Sequence, residues 1–429
     1  MREMKNSGVA WIGNIPKAWG LIRYKDKYKN SKEIAGDKSR SYDRLALSLN
    51  GVIKRPKDDS DGLQPKEFDT YQVLHENDFV FKMIDLQNIS TSRVGLSPYT
   101  GLVSPAYIRF CPKNKKQYPR FIYYFLMSMY YNCVFNNLGG DGVRSALNSS
   151  DMGNFLIPYP IEIEQHRIVD YLDTACSKIN LLIVNQQTQI EKLKQYKQSL
   201  ITEVVTKGLN PDVPMKDSGV KWIGMIPKHW IVKRTKFVAN ALEKGKGITK
   251  EEVISDGDIQ CVRYGEIYTK YNQGFTDCVS RTNLEIIQPH QFFEHGDILF
   301  AGTGELVEEI GKNVVYLGNE KCLAGGDIIV MKHHQDPAFL NYALNSIYSQ
   351  KQKSYGKAKL KVVHISADNI GNVKIALPPL NEQQRIATYL DNKCAKIDRL
   401  IAIKQEKIDK LNDYKKSLIY EYVTGKKEA

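Results

Sequence analysis

At 429 residues the chain is too long for one ordinary core, and 42% apolar with 25% charged residues is the balance of a folded globular protein, which excludes disordered and membrane-embedded classes. Its 61 Lys and Arg against 48 Asp and Glu leave +13, which favours a polyanionic partner, although over so long a chain it fits a merely basic surface equally well. No apolar run reaches the ~18 to 20 residues of a membrane span and no hydrophobic signal region follows MREMKNSG, so a cytoplasmic protein with no membrane partner is expected.

In chain order the first distinctive segment is KNSGVAWIGNIPKAW, residues 5 to 19, which returns as KDSGVKWIGMIPKHW at 216 to 230. A period above 200 residues is far longer than a solenoid repeat of about 20 to 50 residues, so a whole unit is duplicated. Two diverged inserts follow these segments, at roughly 21 to 155 and 232 to 373. In the first, HENDFVFKM (75 to 83) predicts a turn and strand with Asp78, and FIYYFLMS (121 to 128) a short helix introduced by Pro119. The second insert carries matching signals in EHGDILFAG (294 to 302), with Asp297, and in FLNYALNS (339 to 346), after Pro337. SDMGNFLIPYP and DNIGNVKIALP close the two inserts in parallel, so one scaffold is predicted to be used twice.

Each insert leads into a heptad-patterned segment. Leu172, Ile179, Gln186, Leu193 and Leu200 form one seam, and Cys176, Ile183, Ile190, Lys197 and Val204 the other. The copy repeats them as Leu390, Ile397, Lys404, Leu411 and Leu418 against Cys394, Ile401, Ile408, Lys415 and Tyr422. Five heptads with no internal Pro or Gly predict a long coiled-coil-forming helix in each copy. Pro158, Pro160, Pro378 and Pro379 stand before the starts and Gly208 and Gly425 beyond the ends. Two equal seams on one chain most simply bury each other, antiparallel, and dimerisation with other chains is the alternative. The lysines in the seams either fix register or mark a surface for another subunit.

The expected fold class is α+β: two similar mixed α/β domains separated by two long helices forming an antiparallel coiled coil, with a pseudo-twofold internal repeat. The boundaries are 1–159 for the first domain, 160–207 for its helix, 208–377 for the second domain and 378–425 for its helix. The 33 residues from Leu172 to Val204 span about 50 Å as a helix. Domains held near its two ends would be separated by that length less their own overlap.

Loops carry specificity because they vary without dismantling a core. Lys54 and Arg55, with Asn50 and Lys57 beside them, then Lys82, Gln87, Asn88 and Arg93, and Arg144 after a glycine-rich turn, are the DNA-contact candidates of the first insert. Those of the second are Arg263, Tyr264 and Lys270, in an interleaved basic and aromatic run with Tyr271, then Thr303 in AGTGE, and Lys357, Lys359 and Lys361. These residue types hydrogen-bond base edges and phosphates, and it is their recurrence in both copies, more than any one cluster, that points to nucleic acid.

Chemistry of the chain's own is not expected. AGTGE lacks the Gly-Lys-Ser/Thr of a phosphate loop, and no G-x-S-x-G elbow, helicase box or N-P-P-aromatic methyltransferase signature is present. Seven cysteines, odd in number and without a C-x-x-C pair, argue for reduced thiols. The histidine pairs His333 with His334 and His290 with His295 lack a metal-binding context, so no metal site is expected.

The order domain, E-Q-x-R-I helix, W-I-G-x-I-P-x-x-W, domain, E-Q-x-R-I helix closely resembles the specificity subunit of type I restriction-modification enzymes. The resemblance covers the whole chain and is carried by Glu164, Gln165, Arg167 and Ile168, by Glu382, Gln383, Arg385 and Ile386, and by the segments Trp11 to Trp19 and Trp222 to Trp230. It implies two target-recognition domains, each reading half of a bipartite, asymmetric double-stranded DNA site. It further implies two methylation subunits docked on the helices, for which Glu164, Gln165, Arg167, Glu382, Gln383 and Arg385 are the candidate contacts, and restriction/translocase subunits. S-adenosylmethionine, ATP and Mg would then belong to the partners, with no cofactor in this chain. A stand-alone bipartite DNA-binding regulator and a coiled-coil protein scaffold are the alternatives.

Overall fold

The two heptad segments are continuous helices, Glu162–Lys207 of 46 residues and Leu380–Val423 of 44, extending beyond the five heptads at both ends. The extension arises because Ile168 and Val169, and Ile386 and Ala387, continue the apolar face against the preceding insert. Each helix stops at a glycine with left-handed backbone, Gly208 at φ 76° and Gly425 at φ 71°. A Cβ at Gly425 would lie 2.4 Å from Pro16, so both the turn and the close approach require glycine there. The computed structural model describes residues 2–48, 51–59, 67–83, 93–114, 117–137, 147–245, 247–285, 290–357 and 362–429.

The chain divides into two compact units that do not follow the order of the sequence: residues 1–186 with 406–429, and residues 187–405. In the first unit the start of the first long helix packs on the end of the second. Tyr171 stacks on Tyr422 with ring centroids 4.4 Å apart, and Leu172, Cys176 and Ile179 share a buried core with Leu418 and Tyr422. In the second unit the end of the first long helix meets the start of the second, with Ile201, Val204 and Val205 buried alongside Leu390 and Cys394. The antiparallel packing expected from the heptads is therefore observed within each unit. All seven cysteines are free, and Cys176 and Cys394 fill the seams as expected of small residues there.

The polar seam positions find acceptors across the helix pair. Lys197 Nζ lies 2.6 Å from Asp398 Oδ2 in the second unit, and the matching Lys415 Nζ donates over 2.9 Å to Asn180 Oδ1 in the first. One seam thus holds an ion pair where its copy holds a neutral acceptor. With Asp398 41% exposed, the ion pair is worth only about 0.5 to 1 kcal/mol. Asp398→Asn is expected to lower the stability of the second unit by about that amount, with the difference vanishing in high salt. Denaturation of both proteins at two salt concentrations checks this.

Each insert is a β-rich body. In the first unit one sheet runs Gly51–Arg55, Arg44–Ser48, Gly101–Val103, Gln72–Leu74, and another Tyr28–Asn30, Ile108–Pro112, Phe79–Lys82, Arg93–Leu96. In the second unit a five-stranded sheet runs Ala239–Lys244, Ile328–His333, Ile298–Ala301, Asn313–Tyr316, Gly274–Phe275. Beside it lies Ser280–Thr282, Ile259–Val262, Cys322–Ala324, Phe292–Phe293. In both copies the first strand of the insert pairs antiparallel with the last: Gly20–Arg23 with Leu156–Tyr159, and Ile231–Arg234 with Lys374–Leu377.

The alignment read from sequence holds in three dimensions. Asp78 and Asp297 close matching turns, accepting the backbone N–H of His75 and of Glu294 at 2.8 Å. The preceding positions, Asn77 at φ 67° and Gly296 at φ 88°, supply the left-handed residue such a turn needs. Burial raises both carboxyls above their ordinary range, and Arg109, whose Nε donates to Asp78 over 2.6 Å, opposes this at Asp78. The predicted short helices are Pro119–Tyr131 and Pro337–Asn345. Tyr124 and Tyr342 extend from them to donate hydroxyl hydrogen bonds to Asp173 and Asp391 on the long helices.

Candidate nucleic-acid interface

In the second insert the strand Ile259–Val262 delivers Arg263 to the cap of the short helix Tyr264–Thr269. This helix-and-loop segment, the loop around Thr249 and Lys250, and the Gly325–Asp327 turn enclose an open cleft of about 610 Å³. The structure therefore brings Arg263, Tyr264 and Lys270 together, as their spacing suggested, and adds Thr249, Lys250 and Asp327 to them. Asp327 is paired with Lys244 at 3.3 Å, and Glu266 is buried beneath Arg263, leaving Lys250 and Lys270 exposed at the cleft. Such a cleft, basic at its rim and walled by Gly247, Gly265, Gly325 and Gly326, admits close approach of an anionic polymer to the backbone.

The other candidates are placed differently. Thr303 is buried, with its hydroxyl 3.0 Å from His364 Nδ1 in the two-stranded pairing Thr303–Gly304 with Val363–His364, so it is a structural hydroxyl and not part of the cleft. Tyr271 is likewise core, stacked on Phe275 at 4.0 Å. Lys357 donates to the His364 carbonyl over 2.6 Å, closing its own loop, while Lys359 and Lys361 lie outside the described residues.

In the first insert Lys54 is exposed, 2.7 Å from Asp43 Oδ2 and 5.2 Å from the Tyr99 ring centroid. Its hydrogen bond to Asp43 raises the Lys54 amine and lowers the carboxyl. Arg55 pairs with Asp59 at 2.6 Å. Lys82 and Arg93 are directly opposite in the Phe79–Lys82 and Arg93–Leu96 pairing, bringing two predicted positions to one end of that strand pair. Asn50, Gln87, Asn88 and Arg144 lie outside the described residues.

The shared frame builds the same junction twice. Trp19 Nε1 donates to Glu164 Oε2 over 2.9 Å in the first unit, and Trp230 Nε1 to Glu382 Oε2 over 2.7 Å in the second. The other carboxylate oxygen takes Arg2 in one copy and His229, at 2.8 Å, in the other. Gln165 and Gln383 are almost fully buried and donate to the carbonyls of Pro160 and Pro378 at 2.9 Å, tying down the chain before each helix. Their assignment to partner subunits is thus corrected, because internal hydrogen bonds occupy them. Glu164 and Glu382 are half-buried clamps, and of the six candidates Arg167 and Arg385 are the ones with exposed side chains. The tryptophan clamp escaped sequence reading of the individual residues, although its signal, the same Trp and Glu in both copies, was present.

Among the described residues no group of His, Cys, Asp or Glu could hold a metal ion, and no helix is long and apolar enough to cross a membrane. A constant frame carrying two diverged β-rich bodies, one with a basic glycine-walled cleft, defines a duplicated recognition scaffold. The chain belongs to the type I restriction modification DNA specificity domain family, whose model matches residues 36–192 and 227–413.

It is similar to the type I restriction enzyme MjaVIII specificity subunit of Methanocaldococcus jannaschii, 26% identical over 360 residues that cover 82% of this chain and 80% of the relative. A putative type I restriction enzyme MjaX specificity subunit of the same organism is 27% identical over 322 residues, 73% of this chain and 69% of the relative. The fold matches a solved structure described as the structural basis of complex assembly and conformational transition of the type I R-M system. That match has a TM-score of 0.67 at 16% identity, covering 95% of this chain and 98% of the other.

Proposed function

We propose that this chain is the non-catalytic targeting subunit of a type I restriction-modification complex. Each insert reads one half of an asymmetric bipartite DNA site, and partner subunits carry out adenine methylation and restriction. The observation that carries this reading is the pairing of one repeated frame with two inserts of shared architecture and different surface chemistry. In the second insert that chemistry is the cleft of Arg263, Lys250 and Lys270, and in the first it includes Lys54 beside Tyr99 and, separately, Lys82 opposite Arg93. Asymmetry of the target follows because the two inserts do not present the same side chains.

Methylation subunits, two by the repeat of the frame, would dock on the helices, where Leu181, Leu182 and Val184 in the first unit and Leu400 and Ile403 in the second are exposed apolar residues. These also favour a complex over a regulator acting alone, since a solitary protein gains nothing by leaving such residues in water. S-adenosylmethionine, ATP and Mg belong on the partner subunits in this reading, and the exposed side chains of Arg167 and Arg385 are the candidate contacts for those subunits.

Exchanging residues 21 to 155 for the corresponding insert of a relative is expected to rewrite one half of the methylated motif and leave the other half as it was. Methylation-sensitive sequencing of host DNA reads the result. A simultaneous change in both halves would remove the autonomy of the inserts on which the reading depends.

A further inference from the structure

The guanidinium of Arg263 is held from one side only. Nε and Nη2 donate to Glu266 Oε1 at 3.3 and 3.2 Å, and the other oxygen of Glu266 accepts the Arg263 backbone N–H at 2.9 Å. Glu266 is itself buried at 6% exposure and receives the Ser280 hydroxyl at 2.5 Å. A guanidinium has five N–H donors, one on Nε and two on each terminal nitrogen. The carboxylate uses one on Nε and one on Nη2, so both N–H groups of Nη1 and the second of Nη2 have no partner among the described residues. The free N–H of Nη2 and one of Nη1 form the end of the fork, and the side chain is 32% exposed at the cleft.

The end of the fork offers two parallel N–H donors at the spacing of two adjacent acceptors. In the major groove guanine alone supplies that pair, O6 and N7, whereas adenine puts an amino donor opposite one of the N–H groups. A carboxylate gripping the side of the fork fixes its plane before DNA arrives, so less rotamer freedom is lost on binding. The surroundings fit a base edge reached at depth. A Cβ on Gly325 would come within 2.9 Å of the Val262 carbonyl and 3.4 Å of the Arg263 Cα, so this turn packs directly on the backbone that carries Arg263 only because it is glycine. Lys250 and Lys270 are exposed at the cleft, suited to the phosphates on either side of the base that Arg263 meets.

We propose that Arg263 reads one guanine in the half-site recognised by the second insert, through end-on hydrogen bonds to O6 and N7, with Glu266 and Ser280 as positioning residues that hold the fork in plane. This rests on the DNA-recognition reading above and adds to it the base and the atoms. Glu266 touches no DNA, and its effect passes through Arg263.

The test uses the assembled methyltransferase, this chain with its methylation subunits, and duplexes carrying the motif that it methylates in its host. Each guanine of the motif is replaced in turn by 7-deazaguanine, which lacks N7. The wild-type complex is expected to lose about 10-fold or more in affinity at one guanine of the second half-site. In Arg263→Ala the preference for guanine over adenine at that position should fall by about 10- to 100-fold, sensitivity to 7-deazaguanine there should disappear, and discrimination in the first half-site should be unchanged. Arg263→Lys should not restore the preference, because an ammonium is a point donor, and Glu266→Gln should weaken it at the same position only.

If no guanine responds to 7-deazaguanine in the wild-type complex, the proposal fails without any variant being needed. If Arg263→Ala or Arg263→Lys binds DNA with unchanged discrimination at every position, Arg263 is only a cap for a buried glutamate. A wild-type complex that binds all sequences alike would instead sink the DNA-recognition reading itself.

Discussion

Trp230→Ala is expected to destabilise the second unit by about 3 to 5 kcal/mol, the cost of a large cavity in a well-packed core. Trp230 is fully buried, and its ring lies over the end of the first long helix, where a Cβ on Gly208 would be 3.2 Å away. Its indole N–H reaches Glu382 at the start of the second long helix, so one side chain joins two helix ends. Truncation removes the packing and the donor together. Trp230→Phe should lose less, because most of the apolar volume remains and Glu382 keeps His229 at 2.8 Å. Hydrogen exchange or proteolysis resolved by unit reads the effect. The first unit has its own clamp in Trp19 and should be little changed, and a loss below about 1 kcal/mol would show that the junction is dispensable.

Lys353 gives the second large effect. Its ammonium is wholly buried in the second insert, donating to the Gly311 carbonyl at 2.6 Å and Asn313 Oδ1 at 3.0 Å beside the Phe300 ring, and burial alone lowers its pKa to about 7. The unfolded chain has the ordinary value of 10.5, so between about pH 7 and pH 10.5 it binds more protons than the folded protein. Stability contributed at this site therefore rises with pH across that window, and the full penalty is present below the folded value. Lys353→Met removes both the titration and the two hydrogen bonds. Wild type should gain on the variant by about 3 kcal/mol from about pH 6 to about pH 9.5. Urea denaturation of both proteins at the two values measures it, and a constant difference would mean that Lys353 is solvated in the folded protein.

The frame was legible in the sequence because its physics is local or periodic. Heptads place Leu172 and Leu390 in seams whatever the inserts do, and both are fully buried. The Asp78 and Asp297 turns were legible because the residue types a turn demands repeat at one offset. The recognition surface was less so. Arg263, Tyr264 and Lys270 converge because they are neighbours in sequence, but Glu266 reads on paper as one more charged helix residue. Only burial beneath Ser280 and Arg263 marks it as a buttress. Thr303 was misplaced because its partner His364 is 61 residues away. Gln165 and Gln383 share a motif with exposed arginines, and nothing in the motif says which of its side chains turn inward.

The way the two units share the chain has a consequence for how the protein is made. Leu418, Ile419, Tyr422 and Val423 belong to the core of the unit that begins at the amino terminus, whereas residues 187–405 form theirs without a break. At about 5 to 20 residues per second, a ribosome needs roughly 10 to 50 s to pass from residue 187 to residue 429. Throughout that interval Leu172, Cys176 and Ile179 lack the side chains of the second helix that share their core, while the second unit can close once residue 405 has emerged. The part translated first is the part finished last, and a stall or frameshift after residue 405 would strand the amino-terminal unit with its helix seam open while sparing the other.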